Sequence, residues 1–149
     1  MKRALQEAQA AYDKSEIPIG AVIVADNQII ARAHNLTQTL NDVTAHAEMQ
    51  AITAAAEHLG GKYLTECTIY VTVEPCVMCA GAIFWSGIQR VVFGIDAERL
   101  RLFRGELLEQ KDAELSCRDV FSASSQSIEC IGPSLIEEAS RVHEGFWQT

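Results

Sequence analysis

Long apolar runs are missing from this chain: no stretch approaches the ~20 apolar residues that a membrane-spanning helix needs. The opening Met1-Lys2-Arg3-Ala4-Leu5-Gln6-Glu7 is charged and then amphipathic, without the apolar centre of an export signal. No membrane partner is therefore expected, and a cytoplasmic setting is. A surplus of basic charge is missing too. The chain carries 12 Lys and Arg against 20 Asp and Glu, for a net charge of −8. Residues 1–95 hold nine acidic and six basic side chains, and residues 96–149 hold eleven and six. Proteins that grip phosphates along a groove show a basic patch, so this balance weighs against a long nucleic-acid surface. Paired cysteines in a disulfide pattern are also lacking. The five thiols are odd in number and include a Cys-x-x-Cys, which argues against a disulfide framework. Cys67, Cys117 and Cys130 are expected to be small buried hydrophobes.

What is present suffices for one ordinary domain over residues 1–149. Hydrophobic residues make up 48% of the 149, enough for a self-sufficient core, and no repeat or linker divides the chain. Residues 2–14 read as a helix, with Ala4, Leu5, Ala8, Ala11 and Tyr12 on one face. Residues 19–24 and 28–33 read as a strand hairpin around Asp26-Asn27. A helix is expected over 45–59, with Thr44 as N-cap, Ala51, Ile52, Ala55, Ala56 and Leu59 as its apolar stripe, and Gly60-Gly61 as its stop. A strand over 67–73, a helix opened by Pro75 and running to Ser86, and a strand over 90–95 follow. Residues 97–115 read as helix mixed with loop, 127–131 as a last strand and 134–144 as a last helix. This order predicts an α/β fold, a three-layer α/β/α sandwich around one five-stranded mixed sheet.

The chemistry concentrates in two short runs. Thr44-Ala45-His46-Ala47-Glu48 is answered by Glu74-Pro75-Cys76-Val77-Met78-Cys79. One imidazole and two thiols make three zinc ligands, and a catalytic zinc site uses three protein ligands plus an open position. Both runs fall where a strand or loop meets a helix N-terminus, whose dipole favours thiolate. Cys76 and Cys79 are three apart and share a helix face. Glu48 is two residues from His46 and so points elsewhere, beside the ligand set, where it can move protons for water. The alternative is a structural zinc site closed by a fourth ligand, for which Cys67, Cys117, Cys130, His34 and His58 are available.

These runs resemble the cytidine/deoxycytidylate deaminase superfamily, with its His-x-Glu and Pro-Cys-x-x-Cys signature, in the branch of tRNA adenosine deaminases and guanine deaminases. The resemblance covers residues 2–95 and rests also on Pro18-Ile19-Gly20-Ala21-Val22-Ile23-Val24, Asn35 and Arg90-Val91-Val92-Phe93-Gly94. It implies one Zn²⁺ per subunit held by His46, Cys76 and Cys79, Glu48 as the proton carrier, and a homodimer. It further implies substrate contacts from the Asn35 side chain, backbone contacts from Ala47 and Glu74, and apolar walls from Val22 and Val73. Ile83-Phe84-Trp85 resembles the corresponding stretch of guanine deaminases; Phe84 and Trp85, close to the metal helix, are expected either to stack on a base or to serve helix packing. Beyond residue 96 the resemblance to tRNA adenosine deaminases stops: the tail lacks their basic and aromatic helix, Arg141 being its only Lys or Arg after Arg118. Phe146 and Trp147 are expected to cover a pocket instead. The resulting expectation is deamination of a small-molecule nucleobase or nucleoside such as guanine or isocytosine. A tRNA wobble-adenosine deaminase is the alternative, and a non-enzymatic zinc-stabilised module the third.

Overall fold

The computed structural model describes residues 1–105 and 115–148. The chain runs α1 (Lys2–Asp13), β1 (Gly20–Ala25), β2 (Gln28–His34), α2 (Thr37–Leu40), α3 (Ala47–Leu59), β3 (Thr68–Val73), α4 (Val77–Ser86), β4 (Arg90–Ile95), α5 (Ala97–Arg104), α6 (Cys117–Ser122), β5 (Glu129–Ile131) and α7 (Ile136–Arg141). A 3₁₀ turn, Phe146–Gln148, follows. The strands form one sheet in the order β2-β1-β3-β4-β5. β1 is antiparallel to β2 and β3, whereas β3, β4 and β5 run parallel. The five-stranded mixed sheet and its flanking helices are those expected.

Strand alternation sorts the two layers. Ala21 and Ile23 of β1, Ile69 and Val71 of β3, and Val91 and Phe93 of β4 face one side. There they meet Ala47, Ala51 and Ala55 of α3, Ala80 and Ile83 of α4, and Cys117 and Phe121 of α6. On the other side α1 lies flat on the sheet because its buried face is only Ala4, Ala8 and Ala11. Gly20 completes that fit: a Cβ there would sit 2.1 Å from the Ala4 carbonyl oxygen. Gly94 does the same beneath α7, where a Cβ would lie 2.8 Å from that of Ala139.

Several boundaries differ from expectation, each for a local reason. Thr44 does not cap α3. Its N–H and hydroxyl both bond Asp42 Oδ1, each at 2.8 Å, and His46 holds the N-cap position. Pro75 likewise precedes α4 rather than opening it, with Cys76 at the N-cap. Leu59 ends the α3 stripe in solvent. Short helices α2 and α6 carry too few residues to show a period. The expected helix-and-loop stretch yields α5, while residues 106–114 lie outside the described residues. Among the described residues no helix is long and apolar enough to cross a membrane.

The C-terminal segment folds back through His143. This ring is buried and stacks between Phe103, at 5.7 Å, and Trp147, at 6.3 Å. Neither ring nitrogen has a hydrogen-bond partner among the described residues, and burial pushes the pKa down to about 4. The native state therefore stays neutral while the unfolded chain takes up a proton near pH 6.5, so stability falls as pH drops below that value. We expect about 2 kcal/mol less stability at pH 5 than at pH 7 from this group alone. Urea unfolding of the protein and of His143→Phe at both pH values checks it: the variant should lose that much less on acidification.

Candidate active site

Two crossings from extended chain to helix build the site. β3 ends at Val73, and Glu74 is held by its N–H to the Ile95 carbonyl at 2.8 Å. The next turn places Cys76 at the N-cap of α4 and Cys79 in its first turn. From the other direction, the segment after β2 is pinned by Leu36 N–H to the Ala45 carbonyl at 2.9 Å, which delivers His46 to the N-cap of α3. Neither N-cap side chain makes a capping hydrogen bond to its helix. Both are free to point at each other.

They converge. His46 Nδ1 lies 3.7 Å from Cys76 Sγ and 3.6 Å from Cys79 Sγ. A tetrahedral zinc with Zn–N near 2.05 Å and Zn–S near 2.3 Å sets its nitrogen and sulfur ligands about 3.6 Å apart. The residues thus fit the ion at the spacing it imposes. Among the described residues no further His, Cys, Asp or Glu joins this cluster, so the fourth-ligand candidates Cys67, Cys117, Cys130, His34 and His58 stand elsewhere. The electrostatics agree. Contact with the Cys79 thiol, helped by His46, brings Cys76 down to about 4, against the opposing effect of burial. Cys79 is held far above the thiol range by Cys76 and by burial. Two sulfurs competing for one negative charge are the donor set that a divalent cation relieves, because it lets both be thiolates.

Glu48, in the first turn of α3, is 4% exposed. Burial raises its pKa to about 7. Its carboxylate stands outside the three-donor cluster, as its two-residue offset from His46 predicts, and it lines the same cavity. That cavity has a volume of about 270 Å³. His46, Ala47, Glu48, Cys76, Val73, Glu74 and Asn35 are on its wall. The Glu74 carboxylate is turned away, accepting from Ala97 N–H at 3.1 Å and Cys117 N–H at 3.3 Å. It ties α5 and α6 to the site and leaves its backbone to face the cavity.

With this arrangement in view, the comparisons with known proteins are direct. The model of the cytidine and deoxycytidylate deaminase zinc-binding region matches residues 1–95. The chain belongs to this deaminase family. A probable cytosine deaminase of Schizosaccharomyces pombe is 36% identical over 99% of this chain and 90% of that protein. A tRNA-specific adenosine deaminase of Aquifex aeolicus is 50% identical over 93 residues, 62% of each chain. Among solved structures, a chain from a study of A-to-I editing by tRNA:A34 deaminases superposes with TM-score 0.80 at 37% identity, covering 95% of this chain and 96% of that one. A guanine deaminase from Bacillus subtilis superposes at TM-score 0.66 and 32% identity, covering 94% and 87%.

Three expected contacts of this deaminase are not on the cavity wall. Val22 is buried, but strand alternation turns it with Gly20 toward α1, away from Ala21 and Ile23. Phe84 and Trp85 follow Cys79 by five and six residues, which at about 100° per residue puts them some 140° and 120° around α4. They pack edge to face on one another at 5.3 Å, and Trp85 is 77% exposed. Sequence reasoning in turn missed Ile17, Leu100 and Arg104, which join the wall with Ile19 and Trp147. The one available signal was the i, i+4 spacing of Leu100 and Arg104 on α5. Arg104 also lies over the Trp147 ring, 5.8 Å from its centre.

Proposed function

We propose that this deaminase hydrolyses a free nucleobase, converting an amino-substituted ring carbon to a carbonyl with release of ammonia. Guanine, isocytosine and cytosine are the candidate rings. Zinc held by His46, Cys76 and Cys79 would supply a water activated for attack at neutral pH. The chain's own residues do the rest. Glu48 takes the first proton of the attacking water and delivers it to the ring nitrogen as the C–O bond forms, then carries the proton of the new hydroxyl to the amine, which departs as ammonia as the carbonyl forms. Standing on the cavity wall beside the ligand set, the carboxylate is placed to serve both directions of that transfer. Asn35 holds the ring, and the Ala47 and Glu74 backbones contact the reacting oxygen and amine. Val73 and Trp147 are the apolar faces against which the base lies. Two copies of the chain forming a homodimer belong to the same proposal.

The cavity fits one ring, free or flipped out of an RNA strand; what carries the free-base reading is the acidic net charge. About 270 Å³ is at the low end for small-molecule sites, and Arg104 and Trp147 narrow it from the side. The net charge of −8 repels phosphates. The resemblance to the probable cytosine deaminase of Schizosaccharomyces pombe extends over nearly the whole chain; that to the Aquifex tRNA deaminase stops at 62% of it, although the tRNA:A34 deaminase structure covers 95%. A second reading, wobble-adenosine deamination, is favoured by the higher identity of that shorter match and by the tRNA:A34 deaminase structure.

An ammonia-release panel separates the two. It comprises guanine, adenine, cytosine, isocytosine, their nucleosides and an anticodon stem-loop RNA, at 50 and 200 mM salt. The expected result is turnover of a free base, with kcat/KM changing less than about threefold between the two salts. An RNA gripped through 6–10 phosphates would lose about 10³–10⁵ in affinity over the same range. Turnover of the stem-loop alone, with that steep dependence, replaces the free-base reading with the RNA one.

A further inference from the structure

Apart from the metal centre, the fold buries a second carboxylate completely. Glu16, between α1 and β1, is 0% exposed, and no Lys or Arg pairs with it among the described residues. Its oxygens accept instead from Thr39 N–H at 2.7 Å, Gln38 N–H at 3.1 Å and Asn35 Nδ2 at 2.9 Å. Burial works to raise its pKa, but these hydrogen bonds outweigh burial and hold it below the ordinary carboxylate value. It is ionised, and an ionised carboxylate only accepts.

That fixes the amide beside it. Asn35 must turn its NH₂ to Glu16, because the opposite orientation would set two acceptors face to face. The second N–H of Nδ2 goes to Thr37 Oγ1 at 2.8 Å. Both amide hydrogens are consumed. Oδ1 accepts from no described residue, and Asn35 lies on the cavity wall.

We propose that Glu16 is a positioning residue: it locks Asn35 with its carbonyl oxygen toward the cavity and so selects substrates that bring a ring N–H to that oxygen. This deepens, and rests on, the free-base reading. A free base carries an N–H where a nucleoside carries its glycosidic bond. Adenosine is the contrasting case, since its ring nitrogens are all acceptors and its one base-edge donor is the amine that leaves. The selectivity is therefore sharpest for cytosine, whose only ring N–H is lost on N1 substitution; guanine keeps its N1–H when N9 is substituted and is discriminated where its N9 edge meets Asn35.

The test compares cytosine, where it is turned over, with 1-methylcytosine, and guanine with both its 9-methyl and its 1-methyl forms, so that each ring N–H able to meet Asn35 is removed in turn. Wild type should prefer the free base by roughly tenfold or more in kcat/KM, the value of one well-placed hydrogen bond. Glu16→Gln, whose amide can face Asn35 with either end, should bring that ratio close to one, chiefly through a higher KM for the free base, with zinc content unchanged. On an Asn35→Ala background Glu16→Gln should not alter the ratio further, because the effect passes through Asn35. Equal turnover of both forms by wild type, or an equal loss for both in Glu16→Gln, overturns the positioning role while leaving free-base deamination standing. Turnover of the stem-loop RNA without any free base overturns both.

Discussion

Glu48→Gln is expected to hold one zinc per chain, to melt within a few degrees of the parent, and to lose about 10²–10⁴ in kcat with little change in KM. The size of the loss is that of general acid–base catalysis by one positioned group. The selectivity of the effect follows from geometry. Glu48 is not among the three converging donors, so its removal leaves the metal ligands intact. The substitution keeps the side-chain volume, and a neutral amide costs nothing extra where burial already penalises the charge. The amide cannot accept the proton of water, nor carry it to a ring nitrogen. Zinc analysis, thermal melting and steady-state kinetics on one preparation make the check. A rate near that of the parent would remove Glu48 from the mechanism, and loss of zinc would place it in the ligand set.

The division between what the sequence revealed and what it hid follows the range of the interactions. His46, Cys76 and Cys79 were legible because each sits within one turn of a helix start. Two local boundaries are enough to bring them together, even though the N-caps fall at His46 and Cys76 rather than at Thr44 and just before a helix opened by Pro75. The sheet was legible because its central strands are rich in β-branched residues, as in Thr68–Val73 and Arg90–Ile95. The cavity wall was not. Leu100, Arg104 and Trp147 reach it through the docking of α5 and the return of the C-terminus, contacts that no local pattern encodes. Phe84 and Trp85 show the opposite case: near Cys79 in sequence, they stand on another side of its helix and pack on one another. Ile83, four residues from Cys79, does share the inward face and is fully buried. The Cys117–Cys130 contact, sulfur to sulfur at 3.7 Å, was equally hidden, since it joins a six-residue helix to a three-residue edge strand.

Cys79→Ala should abolish zinc binding and activity together, and in this it differs from Glu48→Gln. Cys79 is fully buried at the third position of α4. Removing it leaves one thiol and one imidazole, a pair with no third protein donor within reach among the described residues. The packing loss is small, because only one sulfur atom is deleted. The main stability effect is the loss of linkage. A ligand present at about a thousand times its dissociation constant stabilises the native state by about 4 kcal/mol, which for a chain of this size is about 10 °C in Tm. The parent should therefore melt about 10 °C above Cys79→Ala with zinc present, and chelation by EDTA should lower the parent to the level of the variant. The variant itself should not respond to EDTA. Cys67→Ala is the matched control, a buried thiol of the main core outside the donor set, and it should retain both zinc and the chelator response. Stoichiometric zinc in Cys79→Ala would mean that another side chain completes the site. The open coordination position that hydrolysis requires would then have no basis in this arrangement.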